Sequence, residues 1–249
     1  MTCSCAYWKG ADTLDQAQEN KLDLICRKLG LQPGQMVLDI GCGWGGTAKF
    51  MAERYGVKVV GVTISSAQAD LARENCRDLP IDIRLQDYRK LSGTFDRIVS
   101  IGMFEHVGHK NYRTYFKKVA ELLSDDGLFL LHTIGGNQPA TKTDPWFDRY
   151  IFPNGVIPSS QQVAKAFEGV FVLEDWHNFG PDYDRTLMAW QENFENSWED
   201  LQNNYSERFR RMWHYYLNCS AASFRARDNQ VWQLVLSKHG IPGGRQFPR

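Results

Sequence analysis

PGQMVLDIGCGWGG, residues 33–46, decides the fold. Pro33-Gly34 makes a turn, Met36 to Ile40 form a short apolar run suited to a strand buried on both faces, and glycines then open a helix running to about Tyr55. A strand, glycine loop and helix in that order bring bare backbone to the carboxyl end of the strand, where open α/β sheets bind their ligands. Asp39 is placed to accept hydrogen bonds from the loop's own amides. Gly41, Gly43, Gly45 and Gly46 give GxGxGG rather than the dinucleotide pattern GxGxxG. Alone, the loop also reads as a tight structural turn.

The rest of the chain repeats the same alternation. DTLDQAQENKLDLICRKLGL (12–31) sets Leu14, Leu22, Ile25 and Leu29 roughly on one helical face after a capping Asp12-Thr13. VKVVGVTIS (57–65), IDIRLQD (81–87), FDRIVSIGM (95–103) and LFLLHTIG (128–135) read as strands two to five. Helices are expected at AQADLARENCRDL (67–79) and NYRTYFKKVAELL (111–123), with a turn at Asp126-Gly127. Strands alternating with helices of this length imply an α/β class, a doubly wound and mainly parallel sheet. TKTDPWFDRYIFPNG (141–155) is an aromatic loop suited to a lid or pocket wall. SSQQVAKAFEG (159–169) and VFVLEDWHNF (170–179) resume as helix and strand. A long aromatic helical stretch, about 184–225, precedes a seventh strand in NQVWQLVLSK (229–238), so a helical insertion before the last strand is expected over the open end of the sheet.

At 249 residues, 43% hydrophobic and 23% charged, the chain suits one α/β domain spanning 1–249. It has no membrane-spanning apolar run and no signal-type start, which predicts a cytoplasmic protein. Six cysteines without CxxC spacing predict free thiols and no metal site. The net charge is zero, yet residues 205–249 hold eight Lys/Arg against two acids, a local +6 that suits an anionic surface such as phospholipid; a solvated basic face is the plainer reading.

Together these units resemble the Rossmann-like class I S-adenosylmethionine-dependent methyltransferase fold, with residues 39–46 as its first motif. That resemblance implies cofactor contacts from Asp39, Gly41, Cys42, Gly43 and Trp44. Where the fold usually carries an acid for the ribose hydroxyls, VGVTISSAQ leaves Thr63 and Gln68 as neutral substitutes. Gln86, Asp87 and Tyr88, at the end of the third strand, are placed to meet the adenine.

A more specific resemblance runs through CAYW (5–8), DIGCGWGG, VGVTIS, MFEHVG (103–108), LLHTIG (130–135), YIFPNG (150–155), EDWHNFG (174–180), the DYD and TL of 182–187, NYSERF (204–209) and FRARD (224–228). By these motifs the chain resembles the catalytic domain of the bacterial cyclopropane-fatty-acyl-phospholipid synthases. Mycolic-acid cyclopropane synthases and coclaurine-type N-methyltransferases are more distant members of the superfamily. The long-form bacterial enzymes carry an N-terminal domain before CAYW; with its start almost at CAYW, this chain is expected to be either a catalytic fragment or a short-form relative without that domain. The resemblance implies a methylene transfer from S-adenosylmethionine to the cis double bond of an unsaturated phospholipid acyl chain. It also implies a carbocation deprotonated by bicarbonate, held by Cys5, Glu105, His132 and Tyr183 with a backbone group of Ile134, and a cofactor contact from Tyr7. His106 reads as a supporting residue behind Glu105, or as a cap on the next helix. The region 137–225 is expected to line the acyl chain, with Trp146, Phe152 and Tyr183 as aromatic faces for the cation. The implied partners are phospholipid at the inner membrane face, with peripheral attachment, a homodimer by resemblance, and no nucleic acid. A small-molecule N-methyltransferase using Glu105-His106 as base, and a lipid C-methyltransferase without ring closure, remain the alternatives.

Overall fold

The computed structural model describes residues 2–249. Seven strands form one sheet: β1 (Met36–Ile40), β2 (Lys58–Thr63), β3 (Ile81–Leu85), β4 (Phe95–Ile101), β5 (Leu123–Gly136), β6 (Val172–Asn178) and β7 (Asn229–Ser237). Their order is β3-β2-β1-β4-β5-β7-β6. All pairings are parallel except those of β7, which runs antiparallel to both β5 and β6. Strand order reverses between β1 and β4, so their carboxyl ends diverge and leave a crevice.

Nine helices accompany the sheet among the described residues: α1 (Leu14–Leu29), α2 (Gly46–Tyr55), α3 (Ser66–Asn75), α4 (Tyr112–Leu122), α5 (Pro145–Tyr150), α6 (Ser160–Phe167), α7 (Pro181–Asn196), α8 (Trp198–Leu201) and α9 (Glu207–Arg225). Side chains alternate between the faces of a strand, and the two cores follow that alternation. Val37, Val59, Val99, Leu130 and Val235 pack on one face with Ile25 and Leu29 of α1 and Met51 of α2. Leu38, Ile40, Val60, Ile98, Phe129, Leu131 and Leu234 face the other way, onto Tyr115, Phe116 and Val119 of α4 and Phe167 of α6. A one-residue slip in any central strand would exchange these sets, so both cores hold the register.

The α1 start is a capping box: Thr13 accepts from the Gln16 amide while the Gln16 side chain returns to the Thr13 N–H. The predicted 184–225 stretch is broken. α7 ends at Ser197, and α9 restarts at Ser206, whose hydroxyl accepts from the Phe209 amide. The predicted turn at Asp126-Gly127 does not separate helix from strand. β5 begins at Leu123, and Ser124 to Gly127 form an irregularity within it, between the Phe95–Leu123 and Arg97–Leu128 pairs. The basic surplus of the C-terminal stretch is also partly cancelled in space. Arg210 pairs with Glu195, Arg225 with Asp184, Lys238 with Asp125 and Arg249 with Asp175, while Arg208 and Arg211 stay exposed.

Candidate active site

The crevice holds a cavity of about 660 Å³. Its floor is the glycine loop, where Gly41, Gly43 and Gly45 have φ of 83°, 52° and 81°, values open to glycine without strain. At Gly41 a Cβ would also stand 2.8 Å from Met103 Cγ, so backbone and the end of β4 meet too closely for any side chain. The expected hydrogen bonds from the loop to Asp39 are absent. The amides of Gly41 and Cys42 instead donate to the Val62 carbonyl, at 2.9 and 3.0 Å, because β2 lies alongside. The Asp39 carboxylate is left buried with Oδ2 unpartnered, and burial pushes its pKa up to about 7, partly opposed by the Lys21 charge.

Lys21 is a wall residue that the periodicity of α1 did not reveal. Its side chain is fully buried, lines the cavity and donates to Ser4 Oγ at 3.0 Å. Burial lowers its pKa to about 8. One signal was present: Leu14, Lys21 and Lys28 are seven residues apart, so both lysines share the inward face of α1. Ile64 and Met103 also line the cavity without having been singled out.

Cys42, Trp44, Thr63, Gln68, Gln86, Asp87 and Tyr88 line the same space. Thr63 Oγ1 donates to Gln68 Oε1 at 2.8 Å, so the two neutral side chains act as one unit. Asp87 is gripped by Arg89, which holds its carboxyl below the usual range. Tyr88 stands edge-on to Tyr115. Tyr7 does not join them. Its ring packs edge-on against His177 and Phe179, because the N-terminal segment is stitched to α7: the Ala6 amide and the Trp8 indole N–H both donate to Thr186 Oγ1, and the Trp8 amide to Asp182.

Beside the cavity lies a buried polar cluster. A 3-10 turn at Phe104–His106 follows β4, anchored by Phe104 stacked on Tyr112 with ring centroids 4.3 Å apart. The turn directs Glu105 inward, where Oε1 accepts the Ile134 N–H at 2.7 Å and Oε2 is buried without a partner. Burial raises the Glu105 pKa to about 6. Cys5 and Tyr183 pack in one cluster with Ile134 at its edge. Burial lifts both of their pKa values well up, so both keep their protons at neutral pH. His132, edge-on to Phe179, is driven down to about 3 by burial and the charges of Lys21 and Lys28. It is therefore a neutral imidazole.

Two sequence expectations change here. The amide of Ile134 is taken by Glu105, while its carbonyl accepts from Thr133 Oγ1 at 3.0 Å and keeps a second lone pair. A buried carboxylate needs donors, and the Ile134 amide supplies one at 2.7 Å, with the Thr133 hydroxyl beside it. His106 caps no helix, because Gly108 and Asn111 stand at the next two helix starts. It lines the cavity and meets Phe152, ring centroids 6.0 Å apart, and desolvation lowers its pKa.

A family model described as mycolic acid cyclopropane synthetase matches residues 1–234. The chain belongs to that family. The cyclopropane-fatty-acyl-phospholipid synthase of Escherichia coli (strain K12) is 58% identical over 249 residues, which cover all of this chain and 65% of that protein. The solved structure of the cyclopropane synthase MmaA2 from Mycobacterium tuberculosis superposes with a TM-score of 0.89 at 33% identity, covering 95% of this chain and 90% of the other. The mycolic acid cyclopropane synthase CmaA1, complexed with SAH and CTAB, has the same TM-score at 34% identity and the same coverage. The fold of this chain is thus the Rossmann-like methyltransferase fold of the mycolic acid cyclopropane synthetase family. This chain spans 65% of the length of the Escherichia coli relative.

Proposed function

We propose that this chain is the catalytic unit, over residues 1–249, of a cyclopropane fatty acid synthase. It transfers a methylene from S-adenosylmethionine to the cis double bond of an unsaturated phospholipid acyl chain, through a carbocation deprotonated by bound bicarbonate. The observation that carries this reading is the pairing of two sites. A cofactor-sized cavity lined by Asp39, whose Oδ2 has no partner, lies beside Glu105, whose Oε2 is bare and which Tyr183 and Cys5 neighbour.

The residues present fit both groups. A volume of 660 Å³ lies within the usual range for cofactor pockets. Its Asp39 and Lys21 supply opposite charges for a zwitterionic amino-acid end, while Thr63-Gln68 offers neutral donors and acceptors to hydroxyls. Bound S-adenosylmethionine supplies an electrophilic methyl, and bicarbonate supplies a weak base. For the second, Tyr183 and neutral His132 are donors, Cys5 would join them by turning its S–H away from the Ala6 carbonyl, which it meets at 3.2 Å, and the bare Glu105 oxygen is an acceptor for an acidic O–H.

The chain's own part is to position and to exclude water. The alkene is a weak nucleophile, so alignment matters more than activation. Water reaching the carbocation would trap it as an alcohol, and the apolar surroundings of Cys5, Ile134 and Tyr183 keep it out. The Val156 amide donates to the Glu105 carbonyl at 2.8 Å, which ties the 150s loop to the same turn. Trp146, Phe147 and Ile151 of the 137–225 region pack against the Cys5–Tyr183 cluster and form the acyl-chain wall.

The same reading places the phospholipid at the elbow between α8 and α9. Tyr205, Phe209 and Trp213 stack one on the next, with centroids 4.6 and 5.8 Å apart, beside exposed Arg208 and Arg211. Aromatic rings with flanking arginines suit a membrane interface. Among the described residues no helix is long and apolar enough to cross a membrane, and the attachment we infer is peripheral, at the cytoplasmic face.

The test mixes the purified chain with S-adenosylmethionine and vesicles of cis-unsaturated phospholipid, and analyses the released fatty acids by mass spectrometry. A gain of one methylene that resists mild hydrogenation supports ring formation. The same gain with uptake of hydrogen would replace it with methylation without closure. No lipid product, with methyl transfer to a soluble amine, would give the site to N-methylation instead.

A further inference from the structure

One rung of the sheet crosses three strands: His132 of β5 lies opposite Gln233 of β7, and Gln233 lies opposite His177 of β6. Gln233 is fully buried, and its Nε2 stands 3.4 Å from His132 Nδ1. A carboxamide nitrogen only donates. Nδ1 of His132 must then be the bare, accepting nitrogen, and the single ring proton of the neutral imidazole sits on Nε2.

The opposite orientation of the carboxamide is disfavoured by its surroundings. As it stands, Gln233 leaves one buried oxygen without a partner. Turned over, it would leave the two hydrogens of an NH2 group in that place, and orphaned donors are rarer in folded proteins than under-used carbonyl oxygens. The far end of the rung is also fixed. Lys28 Nζ stands 3.2 Å from His177 Nδ1 and 3.0 Å from Asp175 Oδ2, and Arg249 holds Asp175 from the other side. An ammonium has only donors to offer, so this end cannot change its hydrogen-bonding sense either.

We propose that Gln233 is a positioning residue that locks neutral His132 as its Nε2–H tautomer, making the ring a hydrogen-bond donor to an anion in the Glu105 cluster. A neutral imidazole binds an anion only through its N–H, so the wrong tautomer would present a lone pair to a negative charge. The locking of the tautomer is independent of the proposed reaction; its use by an anion rests on that reading.

The experiment records long-range proton–nitrogen correlation spectra of the full chain with nitrogen-15-labelled histidine, assigned with a His132→Asn control. Wild-type His132 should show a protonated Nε2 and a bare Nδ1, unchanged between pH 5 and 8. Gln233→Met, of similar volume, should populate both tautomers, and Gln233→Glu should draw the proton to Nδ1. Cofactor binding by calorimetry should not move, because Gln233 lines no part of the cavity, while turnover should fall roughly ten- to a hundredfold, as when an orienting partner is lost. A wild-type spectrum with Nδ1 protonated overturns the proposal even if no variant folds. So does Gln233→Met with the wild-type tautomer. A changed tautomer with full turnover upholds the lock and removes His132 from the reaction.

Discussion

Glu105→Gln should make the protein more stable and far less active, and the stability gain should depend on pH. The carboxylate is buried with one oxygen bonded to the Ile134 amide and the other bare. Burial, only partly opposed by that amide, raises its pKa from 4.5 to about 6. The difference is about 1.5 pH units at about 1.4 kcal/mol each, so ionised Glu105 removes about 2 kcal/mol of stability at pH 7. The sign follows from proton binding. Between pH 4.5 and 6 the folded state holds the proton more often than the unfolded state, so stability falls as pH rises through that window and then levels off. Glutamine keeps the shape, retains an oxygen for the Ile134 N–H, and cannot ionise.

The assay is thermal unfolding of both proteins at pH 4 and pH 7. About 2 kcal/mol in a chain of this size corresponds to about 4–8 °C. The new amide hydrogens, set where Oε2 is bare, subtract a constant amount at both pH values. The decisive quantity is therefore the change in the gap between the two proteins, which should widen in favour of the variant from pH 4 to pH 7. Turnover on vesicles should fall about a hundredfold or more, the scale of a lost proton-transfer arrangement. A gap that does not change with pH would refute the reasoning, because Glu105 would then not be a strained charge.

Other perturbations probe the walls of the site and its supports. Asp175→Ala leaves the Lys28 ammonium buried without its counter-charge and should cost about 3–5 kcal/mol in urea unfolding, much of it recovered when Lys28→Met is added. Gly41→Ala meets both a φ of 83° and the Met103 side chain; it should lose more than about 1–2 kcal/mol and weaken cofactor binding in calorimetry, more severely than Gly43→Ala, which meets open space. Thr63→Val breaks the 2.8 Å bond to Gln68 and should weaken cofactor affinity by about tenfold or less, the scale of one hydrogen bond. Charge reversal at exposed Arg208 and Arg211 should reduce co-sedimentation with anionic vesicles; unchanged sedimentation would move the membrane contact elsewhere.

The sheet was legible because its strands carry their burial in the spacing of apolar residues. Val37, Val59 and Val99 alternate with Leu38, Val60 and Ile98, and each set finds its own core. Ser206 caps α9, but aromatic residues recurring from Tyr183 to Trp213 made 184–225 read as one stretch and hid the break before it. Asp126-Gly127 carries turn chemistry, but pairing with β4 on both sides draws it into β5 as an irregularity. Local rules describe what a segment prefers, and neighbouring strands decide between near-equal preferences.

The residues expected at the cavity line it, Tyr7 excepted, but Lys21 was hidden and the partnerships of the others were not legible. Asp39 faces Lys21 instead of its own loop, and Ile134 holds Glu105 instead of standing free. Both outcomes depend on contacts between distant segments, which spacing within one segment does not encode. A physical signature does distinguish such positions once the fold is known. Folded proteins satisfy most buried polar atoms, and six buried side-chain atoms here have no partner among the described residues. Three of them, on Asp39, Glu105 and Gln233, lie at or near the level where β1 and β4 end: Asp39 pairs with Val99, the turn holding Glu105 follows Ile101, and Ile101 pairs with His132, which pairs with Gln233. A core selected for stability alone would have filled these places with apolar side chains or paired groups. Their concentration at the carboxyl end of the sheet fits the proposed chemistry, with stability given up where that chemistry would need charge and hydrogen-bonding capacity.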